Sequence, residues 1–241
     1  GFCQAIQARQ CATKAYAVDS WQGDEHSGFY GDEVYTGLAA LVQSKYGGFA
    51  QLMRMRFDEA VPYFSDASVD LLHIDGLHTY EAVKQDFESW LPKMSRRGVV
   101  LFHDTMVRER GFGVWRLWEE LRGRYPSFEF QHTHGLGVLL VGDQPPDAMR
   151  ALCALHDGEG GVPVLQLFDA LGQRITYRER TAFLEHKYAD AEKFRVHYQA
   201  VFERAEAALA QSTAAEADAR AALAQIAAQR DASQVQLAAA E

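Results

Sequence analysis

An α/β fold with a mainly parallel sheet is predicted by three observations on the sequence. Between residues 15 and 142, short apolar runs alternate with stretches of helical spacing. Two of those runs, VDLLHI at 69–74 and VVLF at 99–102, are near-continuous apolar segments of strand length, as strands covered on both faces would be. Each is followed closely by a carboxylate, Asp75 and Asp104. Strands that alternate with helices need crossover connections, and crossovers make parallel neighbours.

Taken in order, residues 2–12 read as a short helix with Phe2, Ala5 and Ile6 on one side, and Ala15–Val18 as a strand ending in Asp19. Residues 22–32 are polar and glycine-bearing, so a loop is expected. Residues 33–45 are helical, with Val34, Leu38, Leu41 and Val42 near one face. Leu52–Phe57 is a strand candidate, followed by a helix from about Asp58. The buried strand Val69–Ile74 leads into Asp75-Gly76, and a helix from Tyr80 to Leu91 stops at Pro92. Gly98 opens the strand Val99–Phe102, residues 112–123 form an amphipathic helix, and Phe128–Gln131 pairs with Gly137–Val141 in a hairpin turning at His132–Leu136.

Residues 1–142 thus make the α/β domain. Residues 143–172, with Pro145, Pro146, Gly158, Gly160, Gly161 and Pro163, read as a linker with a short helix. Residues 173–241 contain neither Gly nor Pro and are rich in Ala, Glu, Gln and Arg, which predicts one long helix. Leu209, Leu223 and Leu237 recur every fourteen residues, but Glu216 and Arg230 hold the heptad positions between them, so any coiled coil is weak. All four tryptophans (Trp21, Trp90, Trp115, Trp118) fall in the first half, which locates the core there.

A composition that is 48% hydrophobic and 12% aromatic belongs to a folded chain. The net charge of -9 argues against general nucleic-acid binding, which draws affinity from phosphate neutralisation. No apolar run reaches the roughly 18–20 residues of a membrane span, and Gly-Phe-Cys-Gln is not the start of a signal peptide. Cys3, Cys11 and Cys153 are unevenly spaced and form no C-x-x-C pair, which suits free thiols in a reducing cytoplasm. The absence of an initiator Met points to a fragment or a processed product.

The run His73-Ile74-Asp75-Gly76-Leu77-His78-Thr79-Tyr80 places a carboxylate at a strand end and an imidazole three residues on, with Gly76 allowing a sharp turn. Leu101-Phe102-His103-Asp104-Thr105 places a second carboxylate at a second strand end, on the sheet edge where ligands bind. Two carboxylates converging in a crevice repel unless one is protonated or a cation lies between them. A hard divalent ion such as Mg²⁺ is the simplest resolution, with Asp75 and Asp104 as ligands and His78 as general base. The competing reading makes each Asp a turn or cap residue and each His structural. Asp19 suits a ribose diol or, alternatively, a turn. His73 reads as a buried strand residue, His103 as a supporting partner or core residue, Arg108, Glu109 and Arg110 as solvated or substrate-facing, and His132 and His134 as lining the hairpin turn.

The segments YAVDSWQGDEH, LLHIDGLHTYEAVKQDFESWLPKMSRRGVVLFHDT, RGFGVWRLWEEL and HGLGVLLVG together resemble class I S-adenosylmethionine-dependent methyltransferases. Within them the similarity is to a bacterial group tied to polysaccharide and glycan gene clusters, akin to Mg²⁺-dependent sugar O-methyltransferases of macrolide biosynthesis. The D-G-x-H-x-Y-E run with its downstream H-D is the specific part, and the resemblance covers residues 1–142. It implies a Rossmann-like sheet closing with an antiparallel hairpin. It further implies Asp19 on the cofactor ribose, Trp21 near the adenine, Asp75 and Asp104 on the metal, and His78 deprotonating a sugar hydroxyl. It also implies a first strand and glycine-rich loop of which Gly1-Phe2-Cys3 resembles only the tail. The chain is therefore expected to be truncated at its N-terminus and to bind S-adenosylmethionine weakly as it stands. The alternative function is a catalytically incomplete scaffold that self-associates, or docks a glycosyltransferase, through its C-terminal helix. A metal-dependent hydrolase would need more ligands than these.

Overall fold

The computed structural model describes residues 1–26, 28–155 and 160–238, with side chains described as far as Arg230. Gly158 and the side chain of Leu237 lie outside the described residues. The chain divides into two units, Gly1–Ala170 and Leu171–Glu241.

The first unit has a Rossmann-like α/β core. Helix α1 (Phe2–Arg9) is followed by β1 (Ala15–Asp19), the short β2 (Gly23–Asp24) and β3 (Gly28–Phe29), α2 (Asp32–Tyr46), β4 (Ala50–Arg54) and α3 (Phe57–Ala60). Then come β5 (Val69–Ile74), α4 (Tyr80–Trp90), β6 (Met94–His103), α5 (Val114–Arg122), β7 (Ser127–Phe130), β8 (Leu136–Leu140) and α6 (Asp147–Ala154). The crossover pairs are parallel, β1 with β4 and β5 with β6, while β8 runs antiparallel to both β6 and β7. The larger sheet has the order β5-β6-β8-β7. Among the described residues no ladder joins β1 to β5.

One face of the larger sheet is covered by α4 and α5. In α5 the buried residues are Val114, Leu117, Trp118 and Leu121, the i, i+3, i+4, i+7 stripe of a helix lying on a core. They pack with Val83 and Phe87 of α4 onto Ile74, Val100, Phe102 and Leu139. Trp118 and Phe102 are fully buried, so truncating either to Ala is expected to cost about 3–5 kcal/mol.

The other face corrects the expected linker. The short helix expected within residues 143–172 is present as α6, and it is no free connector, because it packs Cys153, Met149 and Leu152 onto Val99, Phe128, Phe130, Val138 and Leu140. Helix α7 (Gly161–Ala238) begins twelve residues earlier than expected and adds Val164 and Leu165 to the same cluster. Pro163 is compatible with this because it falls in the first turn, where a missing N–H breaks no helical bond. The cover ends at β6, so Leu71 and His73 on β5 are exposed, and His73 is not the buried strand residue the sequence suggests.

Smaller differences have local causes. The expected loop over 22–32 contains the β2–β3 ladder, which Gly23 and Gly28 permit by adopting φ of 73° and 88°. Strand β4 ends at Arg54 because Arg56 starts a cap, its N–H donating to the Glu59 carboxylate at 2.9 Å. The expected face of α2 forms without burial: Val34 and Leu41 are exposed. No helix among the described residues is long and apolar enough to cross a membrane.

Candidate metal-binding active site

Strand β5 delivers Asp75, and the chain then has four residues before α4 begins at Tyr80. Gly76 is needed there for space rather than for a left-handed turn, since a Cβ would lie 2.2 Å from the Phe57 ring. Thr79 caps α4 by accepting from the Ala82 N–H at 3.3 Å, which fixes where the helix starts and therefore where His78 stands. The His78 carbonyl accepts from the Gly113 N–H at 2.7 Å.

Strand β6 delivers His103 and then Asp104, whose φ of 62° is left-handed, a region Asp enters more readily than most residues. Two hydrogen bonds hold this kink against the β7–β8 turn. Asp104 N–H donates to Gly135 O at 3.1 Å, and Met106 N–H donates to His134 O at 2.9 Å. The approach requires glycine at 135, where φ is 87° and a Cβ would meet Thr105 Oγ1 at 2.6 Å.

These two strand ends bring Asp75, His78 and Asp104 together as the sequence predicts: one ligand atom from each lies within 4.8 Å of the others. His78 Nε2 is 2.8 Å from Asp104 Oδ2 and 3.7 Å from Asp75 Oδ1. His103 belongs to the same cluster, its Nδ1 3.3 Å from Asp75 Oδ1 and 3.0 Å from Asp104 Oδ1. His134 does not merely line its turn, because its Nδ1 lies 3.5 Å from Asp104 Oδ1. Asp104 is therefore a buried carboxylate bordered by three imidazoles. Asp75 is half-exposed, and the imidazoles of His103 and then His78 hold its carboxyl well below the usual range. Asp75 in turn lifts His103 to about 8.

The cluster is also polar beyond its own needs. Asp104 Oδ1, Thr105 Oγ1 and the Nδ1 atoms of His26, His78 and His103 are buried without an aligned hydrogen-bond partner among the described residues. Buried polar atoms are normally satisfied, so their concentration here is unusual.

An aromatic stack walls the site. Phe112 lies flat on His78, with centroids 4.4 Å apart and planes 16° from parallel, and His26 stacks on Phe112 at 4.8 Å. Exposed arginines tie down the connecting loop. Arg110 donates to His26 O at 2.8 Å, while Arg108 donates to Thr105 O at 2.6 Å and rests on the Trp115 ring. Neither His26 nor Phe112 stood out in the sequence. The signal for Phe112 was the aromatic within the Gly111–Gly113 bracket.

Asp19 and Trp21 stand at the carboxyl end of β1, in the other parallel ladder. The exposed Asp19 accepts from the Trp21 N–H at 2.7 Å, while Trp21 is buried against Tyr35 with ring centroids 5.1 Å apart. His26, a few residues on, links this edge to the Asp75–His78–Asp104 cluster through Phe112.

Residues 1–105 match the family model of a methyltransferase domain. The match spans β1 to β6 and both carboxylates. An uncharacterized protein of Sinorhizobium fredii, y4gI, is 53% identical over 151 residues, which is 63% of this chain. The chain spans only 16% of that protein's length. Among solved structures, the O-methyltransferase TomG of Streptomyces achromogenes is 15% identical, with a TM-score of 0.41 over 58% of this chain and 77% of its own. A putative caffeoyl-CoA O-methyltransferase of Staphylococcus aureus is 13% identical, with a TM-score of 0.41 over 58% of this chain and 80% of its own. Both likenesses cover only part of this chain.

Proposed function

We propose that this chain transfers the methyl group of S-adenosylmethionine to a hydroxyl of a sugar or glycan, with a divalent cation, Mg²⁺ by expectation, held by Asp75 and Asp104. The observation that carries the reading is the convergence of two strand-end carboxylates and an imidazole at the carboxyl ends of β5 and β6, inside the segment that matches a methyltransferase domain. The donor set fits a cation: a half-exposed carboxylate and a buried one whose Oδ1 lacks an aligned hydrogen-bond partner. When bound, the ion supplies a Lewis acid that eases loss of the hydroxyl proton.

The chain's own residues would then divide the work. S-adenosylmethionine, when bound, would supply the methyl group, and an imidazole beside the carboxylates would take the proton of the acceptor hydroxyl. The sequence assigns that part to His78; His103 and His134 border the same carboxylate. Asp19 would hold the cofactor ribose and Trp21 would stand near the adenine. The test is transfer of labelled methyl to glycan acceptors with and without EDTA. Activity that EDTA abolishes and Asp104→Asn removes supports the proposal, and transfer indifferent to both overturns it.

A second reading is favoured by the exposed apolar side chains of the C-terminal helix, Phe183, Tyr188, Phe194, Tyr198 and Phe202 among them. In it the domain is a catalytically incomplete scaffold that associates through that helix with itself or with a glycosyltransferase. Calorimetry showing no S-adenosylmethionine binding, with concentration-dependent sedimentation, would select this reading.

A further inference from the structure

We infer that α7 pairs with the same helix of a second copy of this chain, antiparallel and centred on Ala207. The inference takes up the self-association of the second reading, and it holds whether or not the domain transfers methyl groups. A single helix cannot bury its own apolar side chains, and α7 leaves Tyr188, Tyr198, Phe202, Leu209, Leu223 and Ile226 exposed. These fall on one seam that runs from Leu184 to Arg230 in alternating steps of four and three residues. Only Arg195, Ser212, Glu216 and Arg230 place polar groups on it.

The residues that break the seam decide what covers it. In a parallel, in-register pair each seam residue meets its own copy, so Arg195, Glu216 and Arg230 would each face a like charge. Ala191, Ala205 and Ala219 would also face themselves and leave their layers underfilled.

Reversed about Ala207, the same seam fits itself. Phe202 then faces Ser212 of the second copy, Leu209 faces Ala205, Leu223 faces Ala191 and Arg195 faces Ala219. A large side chain meets a small one in each of these layers, which is how facing helices interdigitate. Tyr198 faces Glu216, so its hydroxyl has a carboxylate to donate to.

The charges fit in the same arrangement. Within the chain Arg195 pairs with Glu192 at 2.6 Å and Arg220 pairs with Glu216, both exposed pairs along one helix that contribute little. Reversal about Ala207 sets Arg195 within one layer of the second copy's Glu216, and Glu192 beside the second copy's Arg220. The four groups exchange partners across the seam. Glu206 meets its own copy, but at the solvent-facing rim, where like charges cost least. A helix that complements its own reverse in both size and charge selects a second copy as its occupant.

The test is sedimentation equilibrium of the full chain and of charge-reversed variants. The parent is expected to be a dimer. Arg195→Glu and Glu216→Arg are each expected to dissociate at least about tenfold more readily, and the double variant to recover the parent's affinity. A parallel pair keeps like charges facing in all four proteins, so equal dimerisation in all of them would overturn the inference. A parent that stays monomeric, or forms a higher oligomer, would overturn it too. Orientation is read from distances between nitroxide labels, in a chain carrying Cys3→Ser and Cys11→Ser. Labels at Ala207→Cys are expected abreast of each other. Labels at Ala221→Cys are expected offset along the axis by twice fourteen residues at about 1.5 Å each, or about 42 Å. Equal separations at both positions would show a parallel pair. A dimer without methyl transfer sinks the proposed function and leaves this inference standing, and a monomer that transfers methyl does the reverse.

Discussion

Phe112 and His78 lie face to face, their ring centroids 4.4 Å apart, and this contact couples a loop that follows β6 to the chemistry at the end of β5. Such a pair is worth about 0.5–1.5 kcal/mol beyond its buried area. Phe112→Leu is therefore expected to slow methyl transfer by up to about tenfold while leaving the circular dichroism of the fold unchanged. Phe112→Tyr, which keeps the stack, is expected to react as the parent does. Equal rates for all three proteins would show that the stack does not position His78.

Asp86 offers a pH test remote from the site. Burial and the nearby Asp58 raise it to about 6, against the opposing pull of Arg56. Between the ordinary carboxylate value and about 6 the folded state holds more protons than the unfolded state, so stability falls as pH rises through that window. Asp86→Asn is expected to stabilise the protein at pH 7 by about 1 kcal/mol, discounted for partial exposure, and the gain is expected to vanish near pH 4. Urea denaturation at both pH values measures it.

Gly135 holds the kink at Asp104. Gly135→Ala forces a side chain into a left-handed φ and against Thr105 Oγ1, at a cost of about 1–3 kcal/mol. Because the displaced groups carry Asp104, ion affinity is expected to fall along with the urea midpoint. A variant that loses stability but binds ions as before would separate the turn from the site.

The role of α6 gives a truncation test. A chain ending at Gly142 exposes Val99, Phe128, Phe130, Val138 and Leu140 and is expected to aggregate, whereas one ending at Ala170 is expected to fold. Thiol labelling checks the same contact in the whole chain. Cys11 is exposed and should react at once, while Cys153, buried and lifted to about 11, should react only on unfolding.

The parts of the site that could be read from the sequence are those set by strand periodicity. VDLLHI and VVLF announce their own ends, so Asp75 and Asp104 are locatable, and His78 follows from its short spacing to the first. His134 and His26 reach the cluster differently. A turn between β7 and β8 bonded back to Met106, and a ladder built on two left-handed glycines, bring them in, and neither leaves a periodic trace. The start of α7 at Gly161 is hidden in the sequence for a related reason. Pro163 and the glycines around it look like a linker, yet a proline in a first turn is compatible with helix, and the apolar faces of α6 and early α7 mattered more than their punctuation.

Asp104 carries two demands that are ordinarily placed on different residues. Its backbone occupies a region that favours Gly, Asn and Asp, and its side chain supplies the buried charge. A saturation library at this codon would thus sort by two separate thresholds. Only Asp would pass in a screen for ion uptake, while Asn and Gly would join it in a screen for soluble expression. Branched residues would drop out of both, which makes Asn the substitution that silences the charge with the least disturbance of the chain.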